Sequence, residues 1–354
     1  MDTSAKDIKF NENNVCNFCR DFDLNKKNIK KPLKQFQELI INIKNKNKNK
    51  DYDCAVALSG GVDSSWLLLK CVEFGLRPLV IHMDNGWNSK LAQTNIYNLV
   101  AKLNLHLETY VIDWVEYRSL MDSFFKANVI DIEILMDNAF VGACFKIANK
   151  YSLKYIMAGF NNSTEGMEIP ENWNWFKKDK KNIININRKF NKTKLKTYPI
   201  IGTFDYIYYR FFKNIKWISP LDYLDYNKDD ALKELKKKIN FEEYSNKHYE
   251  SIFTRFYQSY ILPKKFKVDK RRLHLSNLII TNQITREQGL EMISKPSYDE
   301  HKIKEEIEYF LKKMDWDNTR LINYLNNKPV DHNYYGSELK LWKFFTQIFN
   351  ILKN

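Results

Sequence analysis

The sequence is short of cysteine and lacks any long apolar run. Only five of its 354 residues are cysteines, and an odd number in a chain of this length makes a poor disulfide framework and fits a reducing compartment. No run approaches the roughly 18 apolar residues that a membrane span needs, and the polar stretch 1–15 has no secretory signal. We therefore predict a soluble, cytoplasmic protein with no membrane partner.

Acidic residues are outnumbered. Lys and Arg total 57 against 43 Asp and Glu, which gives a formal net charge of +14. Such a surplus suits an anionic partner such as a nucleotide, a sugar phosphate or nucleic acid, although a codon bias toward Lys and Asn produces the same surplus. Hydrophobic residues make up 44% of the chain and aromatic residues 15%, which is enough to build a sizeable core and excludes wholesale disorder.

Strand patterns alternate with helical patterns in the first half of the chain. Strands are predicted at 54–58, 78–83, 108–112 and 155–158. The intervening helices are predicted within 60–75, at 91–103 and at 140–150. This alternation is typical of the α/β class and predicts a doubly wound parallel sheet.

Three regions follow from this organisation. We predict an N-terminal segment over 1–45, an α/β nucleotide-binding domain over 50–205 and a mostly helical substrate-binding region over 206–354. The Lys- and Asn-rich tract from Lys44 reads as a solvated linker. The basic segment 177–196 interrupts the α/β pattern and reads either as a surface loop or as a flap over an anionic substrate.

The most informative stretch joins the first strand to the first helix of the sheet. Residues 54–69 read CAVALSGGVDSSWLLL. Two adjacent glycines allow close approach of the backbone to a ligand, and the helix start offers free N–H groups to an anion. Asp63 adds a carboxylate that could hold Mg²⁺ against phosphate oxygens. The stretch lacks the lysine of a Walker A loop, so an ordinary P-loop NTPase is excluded.

These residues resemble the PP-loop of the ATP pyrophosphatases, whose common motif is S-G-G-x-D-S. The resemblance implies a Rossmann-like fold of the adenine nucleotide alpha hydrolase type, with a five-stranded parallel sheet. It also implies cleavage of ATP between its α and β phosphates. AMP would be transferred to an oxygen of the substrate and then displaced by a nucleophile.

Three further blocks narrow the resemblance. They read IHMDNGW at 81–87, IMAGFNNSTEG at 156–166 and KHYESIFTRFYQSYILPKKFKVDKRRLHLSNLI at 247–279. Together they are similar to the N-acetyl sugar amidotransferases, which convert an acetamido group into an acetamidino group in pseudaminic acid and O-antigen biosynthesis. The parts at 247–251 and 269–275 are the most specific, because other PP-loop families lack them.

The resemblance assigns roles by position. ATP would be bound by Ser59, Gly60, Gly61, Asp63, Ser64, Ser65, Met83, Asp84 and Gly159. Catalysis would rest on Asp63 as the Mg²⁺ ligand, on Glu165 and on Lys247. The sugar would be bound by Asn161, Thr164, Glu165, His248, Lys270, Arg271 and Arg272.

Several neighbouring residues keep two interpretations. Lys264 and Lys265 read either as anion ligands or as a solvated helix face, with the second favoured. His274 reads as a structural histidine more readily than as a base. Asp131 and Asp137 read equally as metal ligands and as carboxylates at a loop or helix start.

The N-terminus departs from the family pattern. Relatives carry a C-x-x-C-V-M-D-T start before a second cysteine pair, which suits tetrahedral zinc. Here only the second pair, Cys16 and Cys19, is present, and the chain begins at Met1-Asp2-Thr3. We expect these two cysteines to bind Zn²⁺ only if the reading frame extends upstream.

The sequence thus predicts an ATP- and Mg²⁺-dependent amidine-forming ligase that acts on an N-acetylated sugar for surface or flagellar glycans. Cys54, Cys71 and Cys144 read as buried and inert, so we expect a separate glutaminase subunit to supply ammonia. The alternatives are a tRNA-modifying PP-loop enzyme and a non-enzymatic nucleotide- or nucleic-acid-binding module. The preferred interpretation requires no nucleic acid, and the sequence predicts no oligomeric state.

Overall fold

The computed structural model describes residues 1–25, 31–244 and 250–351. Its centre is a sheet of five strands in the order β3-β2-β1-β4-β5. The strands are β1 Cys54–Ala57, β2 Pro78–Asp84, β3 Leu107–Val111, β4 Tyr155–Met157 and β5 Lys216–Ile218. Every neighbouring pair is parallel, so the predicted α/β fold class with a doubly wound parallel sheet is confirmed.

Helices cover both faces of the sheet. The first eight are α1 Asn17–Asn25, α2 Leu33–Lys46, α3 Val62–Glu73, α4 Lys90–Lys102, α5 Trp114–Ala127, α6 Ile134–Lys150, α7 Asn162–Glu165 and α8 Lys180–Phe190. The others are α9 Thr203–Ile207, α10 Lys228–Ile239, α11 Ile252–Phe256, α12 Arg271–Ile280, α13 Arg286–Ser294, α14 Glu300–Met314, α15 Asn318–Asn326 and α16 Leu339–Ile351. Two π-helical segments, Tyr208–Phe212 and Tyr257–Phe266, continue α9 and α11, and 3₁₀ turns lie at Pro220–Asp222 and His332–Tyr335. None of the described helices is long and apolar enough to cross a membrane.

Strand β1 is buried on both sides because its four residues alternate between two apolar layers. Val56 packs in the layer that contains Leu67 of α3 and Leu235 of α10. Ala55 packs in the opposite layer, against Phe145 of α6. A doubly covered central strand explains the continuous apolar run in the sequence.

A third apolar cluster joins the two halves of the chain. It contains Trp87 and Phe125, from the α/β part, together with Phe253 and Phe310. The ring centroids of Phe125 and Phe310 lie 5.6 Å apart, in an edge-on arrangement. The helices after residue 250 therefore share a core with the sheet-bearing part rather than packing apart from it.

Three sequence interpretations were wrong in detail. The segment 177–196 is not a surface loop, because α8 lies within it and buries Ile183 and Ile186, and its role as a flap over an anionic substrate stays a prediction. The tract after Lys44 is not simply a solvated linker, because buried Asn47 donates to the carbonyls of Ile43 and Asp53. Strand β5 lies where mostly helices were expected, and its three partly exposed residues give little sequence signal.

Candidate functional site

The strand order creates a crevice at the carboxyl ends of two adjacent strands. From β1 the chain moves outward through β2 and β3, and it then returns to place β4 on the other side of β1. The loops that follow β1 and β4 therefore diverge. Such a switch point is where open α/β sheets bind their ligands.

The loop after β1 turns sharply into α3. Gly60 adopts φ +88°, a left-handed conformation that favours glycine, and Gly61 precedes the first residue of the helix. The hydroxyls of Ser59 and Ser64 lie 3.0 Å apart, and the Ser59 N–H donates to Ser64 Oγ at 3.2 Å. These bonds fix the loop so that the N-terminus of α3 faces the crevice, the arrangement that binds phosphate.

Gly159, after β4, packs directly against this loop. A Cβ atom at Gly159 would lie 2.8 Å from the backbone nitrogen of Ser64 and 3.0 Å from its Cα. Because both atoms belong to the backbone, they cannot move aside as a flexible side chain would. The absence of a side chain at Gly159 is therefore required for the loops after β1 and β4 to meet.

Asp63 projects from the first turn of α3 between two hydroxyl donors. Tyr226 donates a short hydrogen bond to Asp63 Oδ1, and Thr164 Oγ1 donates to Oδ2 at 3.4 Å. Burial, together with the nearby Asp63 charge, raises the pKa of Tyr226 far above its usual value. The phenol thus stays a neutral donor that orients the carboxylate.

A cavity of about 270 Å³ opens in front of these residues. Its described lining includes five carboxylate residues and a single lysine, Lys228. An anionic triphosphate entering such a cavity needs a counter-cation. Asp63 and Glu165 both line the cavity, and one or two carboxylates together with substrate phosphates are the ligands Mg²⁺ prefers. The residues present therefore fit Mg²⁺.

A second cavity, of about 370 Å³, adjoins the first. The two share a wall formed by Met136, Asp137, Phe160, Glu165 and Thr254. The far side of the second cavity is formed by residues of α12 and of the π-helical segment after α11. Two ligands bound in these cavities would meet at the shared wall.

Two lysines of the second cavity form ion pairs with carboxylates. Lys177 Nζ lies 2.7 Å from Asp131 Oδ2 and 2.8 Å from Asp137 Oδ2, while Lys270 Nζ lies 2.6 Å from Glu133 Oε2. Burial raises the pKa of Asp137, and the Lys177 ammonium offsets this only in part. Asp137 therefore combines a raised pKa with a position on the shared wall, as a proton-accepting group requires.

The shared wall also carries an unsatisfied hydroxyl. The Thr254 side chain is 3% exposed, and its Oγ1 has no hydrogen-bond partner among the described residues. A buried polar group without a partner costs free energy of folding. Thr254 lines both cavities, but its Oγ1 atom is covered by protein atoms, so a ligand would reach this hydroxyl only through a rearrangement of the wall.

The structure brings most of the predicted site residues to these cavities. The first cavity is lined by Ser59, Gly61, Asp63, Ser64, Met83, Gly159 and Glu165. The second is lined by Asn161, Thr164, Glu165 and Lys270, as well as by His274 and Asp137. Lys247 and His248 lie outside the described residues.

Three other predicted ATP ligands shape the first cavity without lining it. The carbonyl of Gly60 accepts from the Tyr244 hydroxyl at 2.9 Å. Asp84 Oδ1 accepts from the Gly86 N–H at 2.8 Å and so holds the turn after β2. Ser65 is fully buried within α3. Their predicted role in binding ATP directly is not supported by this geometry.

Arg271 and Arg272 are engaged elsewhere and line neither cavity. Arg271 pairs with Asp269 at 2.7 Å, and Arg272 pairs with Asp2 at 2.8 Å. The prediction that they neutralise an acidic sugar is therefore not supported by their positions, whereas Lys270, beside them in sequence, does reach the second cavity.

The favoured interpretation of Lys265 as solvated was wrong. Its side chain is 7% exposed, and its ammonium donates to Asn128 Oδ1 and to the carbonyls of Tyr324 and Asn327. It thus caps the end of α15 instead of binding an anion. Asp131 is a helix-start carboxylate, because its Oδ1 accepts from the Ile134 N–H at 3.1 Å.

The two N-terminal cysteines lie close together in an apolar setting. The Cys19 N–H lies 3.4 Å from Cys16 Sγ, and burial together with Cys16 raises the pKa of the Cys19 thiol to about 12. Among the described residues, no group of three or more His, Cys, Asp or Glu side chains could hold a metal ion through protein ligands alone, so Cys16 and Cys19 lack the further ligands of a structural zinc site.

Several residues that line or contact the cavities come from distant parts of the chain, and the sequence patterns did not identify them. Tyr226, Lys177 and Glu133 belong to none of the recognised motifs, and Thr254 lies within the block 247–279 without being singled out there. Their roles depend on tertiary contacts that span up to 163 positions along the chain, as for Tyr226 and Asp63.

Comparisons with known proteins give a family match over part of the chain. Residues 250–349 match the family model described as "LPS biosynthesis protein WbpG-like, C-terminal domain". A comparison with curated proteins gives no match.

Two similar solved structures are synthetases. The NH3-dependent NAD synthetase from Campylobacter jejuni subsp. jejuni NCTC 11168, in complex with the nitrate ion, is 17% identical, with 59% of this chain and 94% of that chain covered at a TM-score of 0.30. The NMN synthetase from Francisella tularensis is 16% identical, with 64% and 93% covered at a TM-score of 0.30. At these scores, the fold assignment rests on the strand order and register of the sheet itself.

The family match covers α12 and the segment after α11, which form the far side of the second cavity. This chain is therefore similar, over residues 250–349, to the C-terminal domain of WbpG-like lipopolysaccharide biosynthesis proteins, and the predicted resemblance is confirmed there.

Proposed function

We propose that this protein is an ATP pyrophosphatase that converts the acetamido group of an N-acetylated sugar into an acetamidino group. The observation that carries the proposal is the pair of adjoining cavities. One is formed around the loop between β1 and α3, the other is lined in part by the WbpG-like region, and they meet at a shared wall. A reaction that first adenylates a sugar and then replaces AMP needs such an arrangement.

In this proposal, ATP occupies the first cavity with its phosphates at the N-terminus of α3. Ser59 and Ser64 would hold the loop open, and Asp63 with Glu165 would bind Mg²⁺, which supplies charge neutralisation when present. Tyr226 keeps Asp63 aimed at the cavity. The α phosphate would then face the shared wall.

The sugar would occupy the second cavity, with its acetamido oxygen at the shared wall. An amide carbonyl resists attack by ammonia. Transfer of AMP from ATP to the carbonyl oxygen, with release of pyrophosphate, turns that oxygen into part of a leaving group. Ammonia would then attack the carbonyl carbon of the acetamido group, and AMP would leave with the oxygen. Asp137 is placed to accept the proton that the attacking nitrogen loses. Closure of both cavities by bound ligands would limit access of water, which would regenerate the acetamide.

The test is a mass measurement on purified protein with ATP, Mg²⁺, ammonium and a panel of N-acetylated sugars. The panel includes nonulosonic acids, their CMP forms and UDP-linked amino sugars. We expect one of them to yield AMP, pyrophosphate and a product lighter by the difference between an oxygen atom and an NH group. Release of ADP and phosphate instead would overturn the proposal.

A matched pair of variants ties the activity to the cavity. Asp63→Asn should reduce pyrophosphate release by at least ~100-fold because Mg²⁺ loses a ligand. Asp51→Asn changes an exposed acid before β1 and should leave the rate unchanged. Modification of tRNA, with no sugar turned over, would favour the RNA-modifying alternative.

A further inference from the structure

Exposed aromatic side chains gather on one face of the molecule. We call this face the aromatic patch; it consists of Phe204, Tyr208, Phe211, Phe212, Phe344, Phe345 and Phe349. Phe212 is 78% exposed, Phe204 65% and Phe344 57%. Aromatic rings at this exposure are costly in water, and one or two alone would be unremarkable.

The members of the patch touch one another across two elements. The rings of Phe211 and Phe349 stack with centroids 4.1 Å apart, and those of Phe204 and Phe345 lie 5.8 Å apart. The patch therefore joins α16 to α9 and its π-helical continuation in one continuous surface. Exposed apolar surface that is continuous over several residues is typical of an interaction site.

Cations border the patch without acidic partners. Arg210, Lys213, Lys340 and Lys343 lie on or beside the two elements, and none forms an ion pair with any described residue. The Lys213 ammonium lies 5.4 Å from the centre of the Tyr208 ring. The outward-facing charge of the patch is therefore positive.

The two acids beside the patch, Asp205 and Glu338, are engaged in hydrogen bonds at the start of α9. Asp205 accepts from the Gly202 N–H and from Lys180, each at 3.0 Å. Glu338 accepts from the Thr203 N–H at 2.7 Å. Both carboxylates are thus occupied in capping α9 and leave the positive border uncompensated.

One part of the patch lies near the amino ends of the strands. Its π-helical part leads into the amino end of β5, whereas the cavities lie at the carboxyl ends of β1, β2 and β4.

From these features we infer that the aromatic patch binds the surface of an anionic lipid bilayer. The rings would insert at the headgroup level, and the four cations would contact the lipid phosphates. The sequence prediction of no membrane partner rested on the lack of a spanning segment, which does not bear on a protein that lies on the surface. The inference is independent of the proposed function.

The test is vesicle flotation of the full chain. One set of vesicles is pure phosphatidylcholine, and the other contains phosphatidylcholine and phosphatidylglycerol in equal parts. We expect the protein to float with the anionic vesicles only, and raised salt should weaken this binding. The double variant Phe212→Ser/Phe344→Ser should bind roughly tenfold or more weakly, because two inserted rings are lost.

Two further variants sharpen the result. Lys340→Glu/Lys343→Glu alters only exposed cations and should abolish the preference for anionic vesicles, which keeps the test valid if the double serine variant misfolds. Tyr97→Ser removes a ring that is 72% exposed on α4 and should bind like the wild type. Equal binding to both vesicle types would overturn the inference. So would a wild-type dimer in light scattering that the serine variant converts to a monomer, because a second copy would then cover the patch.

Discussion

At the scale of single residues, one substitution at Thr254 should change stability and activity in opposite directions. Thr254 lines both cavities, and its buried hydroxyl has no described partner. Thr254→Val should raise the free energy of unfolding by about 1 kcal/mol, because an unsatisfied polar group is replaced by an isosteric methyl. The same change should lower kcat/KM for the sugar by roughly tenfold or more if the hydroxyl binds it. Urea unfolding and steady-state kinetics measure the two effects.

Thr203 provides the matched control for this prediction. Its Oγ1 is equally buried and lacks a described partner, but it lies outside both cavities. Thr203→Val should therefore stabilise the protein without changing kinetics. If Thr254→Val leaves kcat/KM unchanged as well, the hydroxyl has no role in ligand binding.

His332 makes stability depend on pH. The ring is stacked on Trp175 at 4.8 Å, accepts from the Asp131 N–H and faces Asn182 Oδ1 at 2.8 Å, and burial lowers its pKa from 6.5 to about 4. Between these two values the unfolded chain binds a proton that the folded chain excludes. The contribution of His332 to the free energy of unfolding is therefore at its maximum above pH 6.5. It should fall by about 3 kcal/mol as the pH drops to about 4.

Unfolding curves measured across this pH range test the assignment. His332→Gln should be less stable near neutral pH but should lose less stability on acidification. His106→Gln changes a histidine whose side chain is 45% exposed and should keep the wild-type slope. An unchanged slope in His332→Gln would show that other groups control acid unfolding.

At the scale of elements, Lys265 joins two helical segments. Its buried ammonium satisfies the carbonyls of Tyr324 and Asn327 at the end of α15. Lys265→Met should lower the free energy of unfolding by about 3 kcal/mol because buried acceptors lose a charged donor. The adjacent Lys264 is exposed over the Tyr260 ring, so Lys264→Met should change stability by less than about 0.5 kcal/mol. Thermal or urea unfolding of the pair distinguishes them, and equal losses would refute the capping role.

Local patterns determined which elements could be predicted. Strand β1, its glycine turn and α3 are encoded by neighbouring residues, because a buried strand and a helix N-terminus each have a short-range signal. Strand β5 has three partly exposed residues and gains its place only by pairing with β4. Helix α8 was missed because its polar residues Asn182 and Asn187 are buried by tertiary hydrogen bonds.

The site residues also divide into those with a local sequence signal and those that only tertiary packing brings to the site. Residues within the loops after β1 and β4 were found because each motif is contiguous in sequence. The basic block at 269–275 was misjudged in part, since the arginines and Lys270 look alike in sequence but point to different partners. Only packing decides which of these cations reaches the second cavity.

At the scale of the whole molecule, the cysteines bear on the nitrogen source. Cys54, Cys71 and Cys144 are buried, and burial raises the pKa of each thiol, so none is an activated nucleophile. We expect the purified chain to use ammonium and not glutamine, and a separate glutaminase to restore glutamine use. Product formation with each nitrogen donor is the measurement. Glutamine-dependent turnover by the chain alone, lost in a Cys→Ser variant, would contradict this expectation.

The position of β1 at the middle of the sheet has a consequence for the newly made chain. Ala55 and Val56 pair with Ile156 and Met157 on one side, so about 100 residues must be synthesised before that edge of β1 finds its partner. At translation rates of about 5 to 20 residues per second, the edge waits roughly 5 to 20 s beside the ribosome. An apolar strand with unpaired backbone groups is then open to wrong pairing, and the yield of folded protein should depend on chaperones and on growth temperature.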